Sequence, residues 1–170
     1  MIVMDIGHSK VSPGAVNATY KVSEFIFNNK LARDIQKFID VRLFYRTSHQ
    51  NLPSDLNSLK PKYIVSLHCN AFNTRATGSE VLYYHTSKTG KRLAEIYLDH
   101  IVGCLGLPNR GVKPRTGTDR GGYQLKYTNA PCIIVEPFFI DNDADFEMVQ
   151  SVMDEFIQAN VRALRDIESL

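Results

Sequence analysis

One hundred and seventy residues and 19.2 kDa fit one domain of ordinary size, and a 44% hydrophobic share is enough to bury a core, which excludes disorder and coiled coil as general descriptions. No stretch reaches the ~18 consecutive apolar residues of a membrane span, so no stable membrane association is expected. Twenty basic against 18 acidic side chains leave a net charge of +2, too small to argue for a nucleic-acid partner.

The chain reads as one unit, residues 1–170, because no repeat, low-complexity tract or Pro/Ser-rich linker divides it. Short β-branched runs alternate with segments of helical period, which predicts an α/β fold: a twisted, mostly parallel sheet flanked by helices. The expected strands are Ile2–Ile6, Val41–Tyr45, Tyr63–Leu67, Glu80–Tyr84 and Cys132–Phe138. Ser23 is a helix-starting residue, and Phe27, Leu31, Ile35 and Phe38 follow at helical spacing, which predicts a helix over about Glu24–Ile39. Leu52, Leu56 and Leu59 predict a short helix closed by Pro61, and Leu93, Tyr97, Ile101 and Leu105 a long one ending near Gly106. From Ala144 onward, Val149, Met153, Phe156, Ile157, Val161 and Leu164 continue one helical pattern to the end.

Ligands of open parallel sheets bind at the carboxyl ends of the strands, which directs attention to the polar residues that follow each run. The first run ends in Gly7-His8, the third in His68-Cys69-Asn70, and the last carries Glu136 within apolar sequence. Two imidazoles and a carboxylate suit a catalytic zinc, which takes three protein ligands and leaves a fourth position open. One carboxylate is then to spare. Glu24, in the first turn of the first helix, is the expected ligand; Glu136, on an apolar strand where desolvation raises a carboxyl pKa, is the expected acid/base. An isolated His after a strand is more often a surface residue, and His49, His85 and His100 are read in that way.

Cys69, Cys104 and Cys132 are an odd, sparse set beside apolar runs and read as buried free thiols. Cys69 should point away from His68 if the strand continues, and Cys132 lies four residues, roughly 13 Å of strand, from Glu136, so neither is expected to be a ligand.

The sequence resembles the zinc-dependent N-acetylmuramoyl-L-alanine amidases of the amidase_3 family. The resemblance is carried by Asp5-Ile6-Gly7-His8, Ser23-Glu24, Ser66-Leu67-His68-Cys69-Asn70-Ala71, Gly78-Ser79-Glu80-Val81-Leu82-Tyr83-Tyr84 and Val135-Glu136-Pro137-Phe138-Phe139-Ile140-Asp141-Asn142. It implies a twisted sheet flanked by helices, Zn2+ on His8, Glu24 and His68, and Glu136 as the catalytic carboxylate. The family's glycine-rich continuation after Gly-His is replaced here by Ser9-Lys10-Val11-Ser12-Pro13. Asn70 is a candidate for binding substrate and equally a turn former.

The implied reaction is hydrolysis of the amide between N-acetylmuramic acid and L-alanine in peptidoglycan, with the muramyl peptide as partner and Glu136 moving the proton. Met1-Ile2-Val3-Met4-Asp5 lacks the charged and apolar regions of a secretory signal, and only a few residues, beginning His85-Thr86-Ser87, separate the Glu80–Tyr84 strand from the next helix, too few for a blocking helix. The expectation is an always-open lysin of phage or prophage type, made in the cytoplasm without its own export signal and acting on the wall after release. A zinc peptidase cutting within the stem peptide and a non-catalytic peptidoglycan-binding module are the alternatives. Oligomeric state is not legible. Finally, the Gly-rich segment Arg110–Lys126 holds Arg110, Lys113, Arg115, Arg120 and Lys126 against Asp119 alone. It reads either as a solvated basic loop or as a device that attracts stem-peptide carboxylates, with Arg115 as the substrate-binding candidate.

Overall fold

The apolar runs become strands in the computed structural model, which describes residues 1–170. In chain order the elements are β1 (Ile2–Ile6), β2 (Val16–Asn17), β3 (Val22–Ser23), α1 (Glu24–Gln36), β4 (Val41–Tyr45), α2 (Leu52–Ser58), β5 (Tyr63–Leu67), β6 (Ser79–Tyr84), α3 (Lys88–Leu105), β7 (Asn109–Arg115), α4 (Gly122–Tyr127), β8 (Cys132–Glu136), α5 (Asp143–Ser151) and α6 (Met153–Glu168). Six strands form one sheet in the order β4-β1-β5-β8-β6-β7, and β2 and β3 form a small separate pair.

The sheet is mostly parallel, as expected, with one antiparallel pairing, β6 on β8. The cause is the connection from β5 to β6. It contains no helix and stays at the carboxyl edge of the sheet, so β6 starts where β5 ends and must run backwards. Helix α3 then crosses back, and β7 lies parallel to β6. The reversal places Glu80, the second residue of β6, opposite Glu136, the last of β8.

Alternation along the strands divides the interior in two. Ile2, Met4, Ile6, Val65, Leu67, Val81, Ile133 and Val135 pack with α1, α3 and α6 in the larger core. Val3, Ile64, Leu82, Cys132 and Ile134 pack with Leu52, Leu56 and Leu125 of α2 and α4 in the smaller one. By the same alternation Asp5, Ser66, His68 and Glu136 belong to the smaller side, just past the point where its apolar residues stop. Between α3 and α6, the Tyr97 hydroxyl donates to Asn160 Oδ1 (2.7 Å) while Asn160 Nδ2 donates to Phe156 O (2.7 Å), so the buried polar groups there are paired.

Four sequence expectations change. Helix α1 ends at Gln36, whose Nε2 donates to Val41 O (2.9 Å), and Phe38 lies outside the helix, half-exposed. Strand β8 stops at Glu136 because Pro137 has no N–H to continue the ladder. The C-terminal helix is two helices, broken at Val152, where the Ser151 hydroxyl takes up the Met148 carbonyl (2.7 Å) in place of a backbone donor. The segment Arg110–Lys126 is not one loop: it contains most of edge strand β7 and the start of α4. Strand β7 escaped notice because Asn-Arg-Gly-Val-Lys-Pro-Arg has no apolar alternation; charge, Gly111 and Pro114 are what an unpaired outer edge carries. Of the cysteines, Cys69 and Cys132 are buried and Cys104 only partly; all three are free thiols.

Candidate active site

Three chain segments bring His8, Glu24 and His68 together. Gly7 N–H extends the β1–β5 ladder by donating to Leu67 O (2.9 Å), which carries the chain to His8 at the strand end. His8 itself has φ 68°, the left-handed region that an ordinary side chain adopts only under constraint. His68 N–H donates to Val135 O (3.0 Å), continuing β5 alongside β8. Glu24 opens α1, capped by Ser23, and the β2–β3 pair folds residues 13–15 over it: Glu24 N–H donates to Ala15 O (2.8 Å) and Phe25 N–H to Pro13 O (3.0 Å).

Glu24 sits between the two imidazoles. Its Oε2 lies 3.2 Å from His8 Nε2 and its Oε1 2.8 Å from His68 Nδ1, and Cys69 N–H donates to Oε1 (3.0 Å). Burial alone would raise the Glu24 pKa, but the hydrogen bonds with His68 and then His8 overcome it and hold the carboxyl well below its usual range. For His68 burial acts downward, and the bond to Glu24 and its charge win, so the imidazole is shifted up.

These donors fit zinc. One ligand atom from each residue lies within 4.8 Å of the other two, so side-chain movement of roughly an ångström would bring all three within bonding reach, ~2.0–2.2 Å, of one ion. The space is kept by two glycines. A Cβ on Gly7 would fall 2.6 Å from His68 Cε1, and one on Gly14, where φ is +80°, would fall 2.7 Å from both Glu24 Oε2 and the His8 ring.

Glu136 lies beside this centre and is 4% exposed. Desolvation raises its pKa most; Arg120, with a guanidinium nitrogen 3.7 Å away, and His68 pull it down, while Glu80 and Glu24 push it further up. The net shift is upward, which suits a carboxyl that must both accept and return a proton.

Glu80 is a neighbour that the apolar pattern did not single out. It is 5% exposed, receives Arg110 Nε at 2.8 Å and Asn70 Nδ2 at 3.1 Å, and Arg110 in turn lies 5.0 Å over the Phe139 ring. Its signal was the one used for Glu136, a lone acid in an apolar strand. Asn70 is thus held on the site wall by its own bonds, with Oδ1 also accepting Ala71 N–H (3.0 Å). Asp5 was overlooked as well: fully buried under the site, its Oδ2 accepts Ser66 Oγ (2.6 Å) and Gln124 Nε2 (3.0 Å) and its Oδ1 has no partner. Arg115 lines the same cavity as Asn70, Glu80 and Glu136, whereas His85 and His100 line neither cavity at the centre, and His49, exposed against Tyr123, lines the cavity of His8 and His68.

The remaining wall, residues 71–77, is pinned by the segment after β8. Asp141 Oδ2 accepts Phe72 N–H (3.1 Å) and Thr74 N–H (2.9 Å), Asp145 takes the Thr77 hydroxyl and Gly78 N–H, and Asn142 Nδ2 donates to Ala76 O (3.1 Å). Residues 141–145 therefore shape the site from behind this wall, while Phe139 itself lines the cavity.

Comparison with known proteins identifies the family and agrees with the fold. Residues 2–166 match the Amidase_3 family, described as N-acetylmuramoyl-L-alanine amidase. The chain is 27% identical over 173 residues to the probable cell wall amidase LytH of Staphylococcus saprophyticus, covering 96% of this chain and 57% of that protein. It is 26% identical over 162 residues to the N-acetylmuramoyl-L-alanine amidase LytC of Bacillus subtilis, covering 85% and 30%. The chain thus spans about half or less of the length of these relatives. The fold matches the crystal structure of an N-acetylmuramoyl-L-alanine amidase from Clostridium difficile 630 with a TM-score of 0.84 at 21% identity, covering 99% of this chain and 96% of that one. It also matches the catalytic domain of the CD27L endolysin, with a TM-score of 0.80 at 24% identity and 97% and 96% coverage. The match over nearly the whole chain places this protein in the Amidase_3 family of N-acetylmuramoyl-L-alanine amidases.

Proposed function

We propose that this chain hydrolyses the amide bond between the lactyl carbonyl of N-acetylmuramic acid and L-alanine in peptidoglycan, with zinc held by His8, Glu24 and His68. The observation that carries the reading is the meeting of a three-donor cluster with a buried carboxyl of raised pKa at the carboxyl end of one sheet. Zinc at these residues would supply Lewis acidity toward the substrate carbonyl. Glu136 takes a proton from the attacking water and returns one to the alanine nitrogen as the bond breaks. Glu24 and the strained backbone at His8 hold the imidazoles in place before substrate arrives. Asn70 and Arg115, on the cavity wall beside Glu136, contact the peptide half of the substrate.

The cellular setting we propose is that of a wall-degrading lysin of phage or prophage type. Two features support it: only three residues join β6 to α3, and His8 and His68 line an open cavity. No helix is long and apolar enough to cross a membrane.

Digestion of purified peptidoglycan by zinc-loaded protein tests the reading. An amidase releases peptides with a new N-terminal L-alanine. Other new amino termini would instead identify a stem-peptide peptidase, and soluble binding without release a recognition module.

A further inference from the structure

Two cavities meet at Glu136. One, of about 270 Å³, lies on the His8 and His68 side; the other, of about 450 Å³, lies on the Glu80 side, and Glu136, Arg120 and Leu82 line both. If the bond is cut beside Glu136, the halves of the substrate occupy different cavities. The larger one is lined by Arg110, Arg115 and Arg120. Arg110 is neutralised by Glu80 (2.8 Å), and Arg120 stands 3.7 Å from Glu136, which burial inclines toward its neutral form. Arg115 has no close ion pair, Asp119 acting on it only from further off, and its Nε is buried without a partner. A buried unpaired guanidinium N–H is costly unless something completes it.

The glycan half of a muramyl peptide is uncharged, since its sugars are N-acetylated and the lactyl carboxyl is consumed in the amide. The peptide half carries anions. Nearest the scissile bond is the α-carboxylate of the second residue, free because D-glutamate is linked onward through its side chain. That residue's Cα lies one trans-peptide step, about 3.8 Å, beyond the alanine Cα.

Resting on the amidase reading, we propose that the Arg110–Arg115–Arg120 cavity is the subsite for this α-carboxylate, and that it selects stem peptides whose second residue is D-glutamate over those amidated to D-isoglutamine. Arg115 supplies the deciding charge-assisted hydrogen bond. The amidated stem presents a neutral group whose carbonyl can accept the same N–H but brings no charge to match the guanidinium, so the bond is weaker.

The test is binding of two synthetic peptides, L-Ala-γ-D-Glu-L-Lys and its D-isoglutamine counterpart, to zinc-loaded protein by calorimetry. The acidic peptide should bind about tenfold tighter or more, and Arg115→Gln should reduce the preference to near one with zinc content retained. Equal affinity of the wild-type protein for the two peptides, binding of neither, or a preference that survives Arg115→Gln would overturn the proposal. The wild-type comparison stands even if the variant folds poorly. A parallel peptidoglycan digest separates the two levels: absence of new L-alanine termini sinks the hydrolase reading, while the peptide preference still decides the subsite.

Discussion

Glu80 and Glu136 stand directly opposite each other in the antiparallel β6–β8 pair, but only Glu80 is closed into a tight ion pair, with Arg110 Nε at 2.8 Å, while Arg120 stands 3.7 Å from Glu136. Like charges side by side cannot both ionise freely. Burial does most to raise the Glu136 pKa, and the Glu80 charge across the pair adds to the rise.

The acidic limb of kcat/KM should therefore respond oppositely to two neutralising substitutions. Arg120→Gln removes a charge that lowers the Glu136 pKa, so the limb moves to higher pH. Glu80→Gln removes one that raises it, so the limb moves lower. A pH series on a soluble muramyl peptide reads both, and shifts of the same sign would show that Glu136 does not control the limb.

The metal and the carboxyl should separate by substitution. His68→Ala deletes one of three donors and should lose zinc, and Glu24→Gln should weaken its hold, whereas Glu136→Gln keeps the side-chain shape and should retain zinc while losing roughly 10²-fold or more in kcat. Metal analysis beside turnover measures both. The reverse pattern for the two glutamates would exchange their roles.

Much of this site was readable because strand ends announce themselves: an apolar run that stops at Gly7-His8, another at His68, and a third that carries Glu136. What could not be read was pairing across distance. The antiparallel run of β6 follows from a helix-free connection, and that is what places Glu80 beside Glu136. Strand β7 looked like a basic loop because an edge strand needs no apolar alternation, so the alignment of Arg110 and Arg115 along one cavity was hidden. Val152 likewise gave no sign that the C-terminal pattern was two helices.

The two glycines make a third prediction. Gly7→Ala places a methyl 2.6 Å from the His68 ring, and Gly14→Ala places one 2.7 Å from Glu24 Oε2 and the His8 ring in a left-handed backbone. Each should weaken zinc binding by about tenfold or more, since ligand positions must hold to within a few tenths of an ångström. Competition against a chelator measures this, with circular dichroism to show that the fold persists. Unchanged zinc affinity in both would mean that the loops yield.

The last prediction concerns stability of the metal-free protein. Burial raises the Glu136 pKa above its value in the unfolded chain, so between the two values the folded state binds more protons and stability falls as pH rises through that window. Below it both states are protonated and nothing is lost; above it the penalty for a buried charge is complete. Glu136→Gln removes the penalty and should raise Tm near pH 7 but not near pH 3, where glutamate is already neutral, with about 2–4 °C for each kcal/mol in a domain of this size. Glu24 has the opposite sign. Its depressed pKa contributes stability above the unfolded value, lost as pH falls, so Glu24→Gln should lower Tm at neutral pH. Thermal melts of the two variants against the parent at both pH values decide the matter. A Glu136→Gln protein no more stable than the parent at neutral pH would show that its carboxyl carries no burial penalty, and with it the argument for a raised pKa at the site would fail.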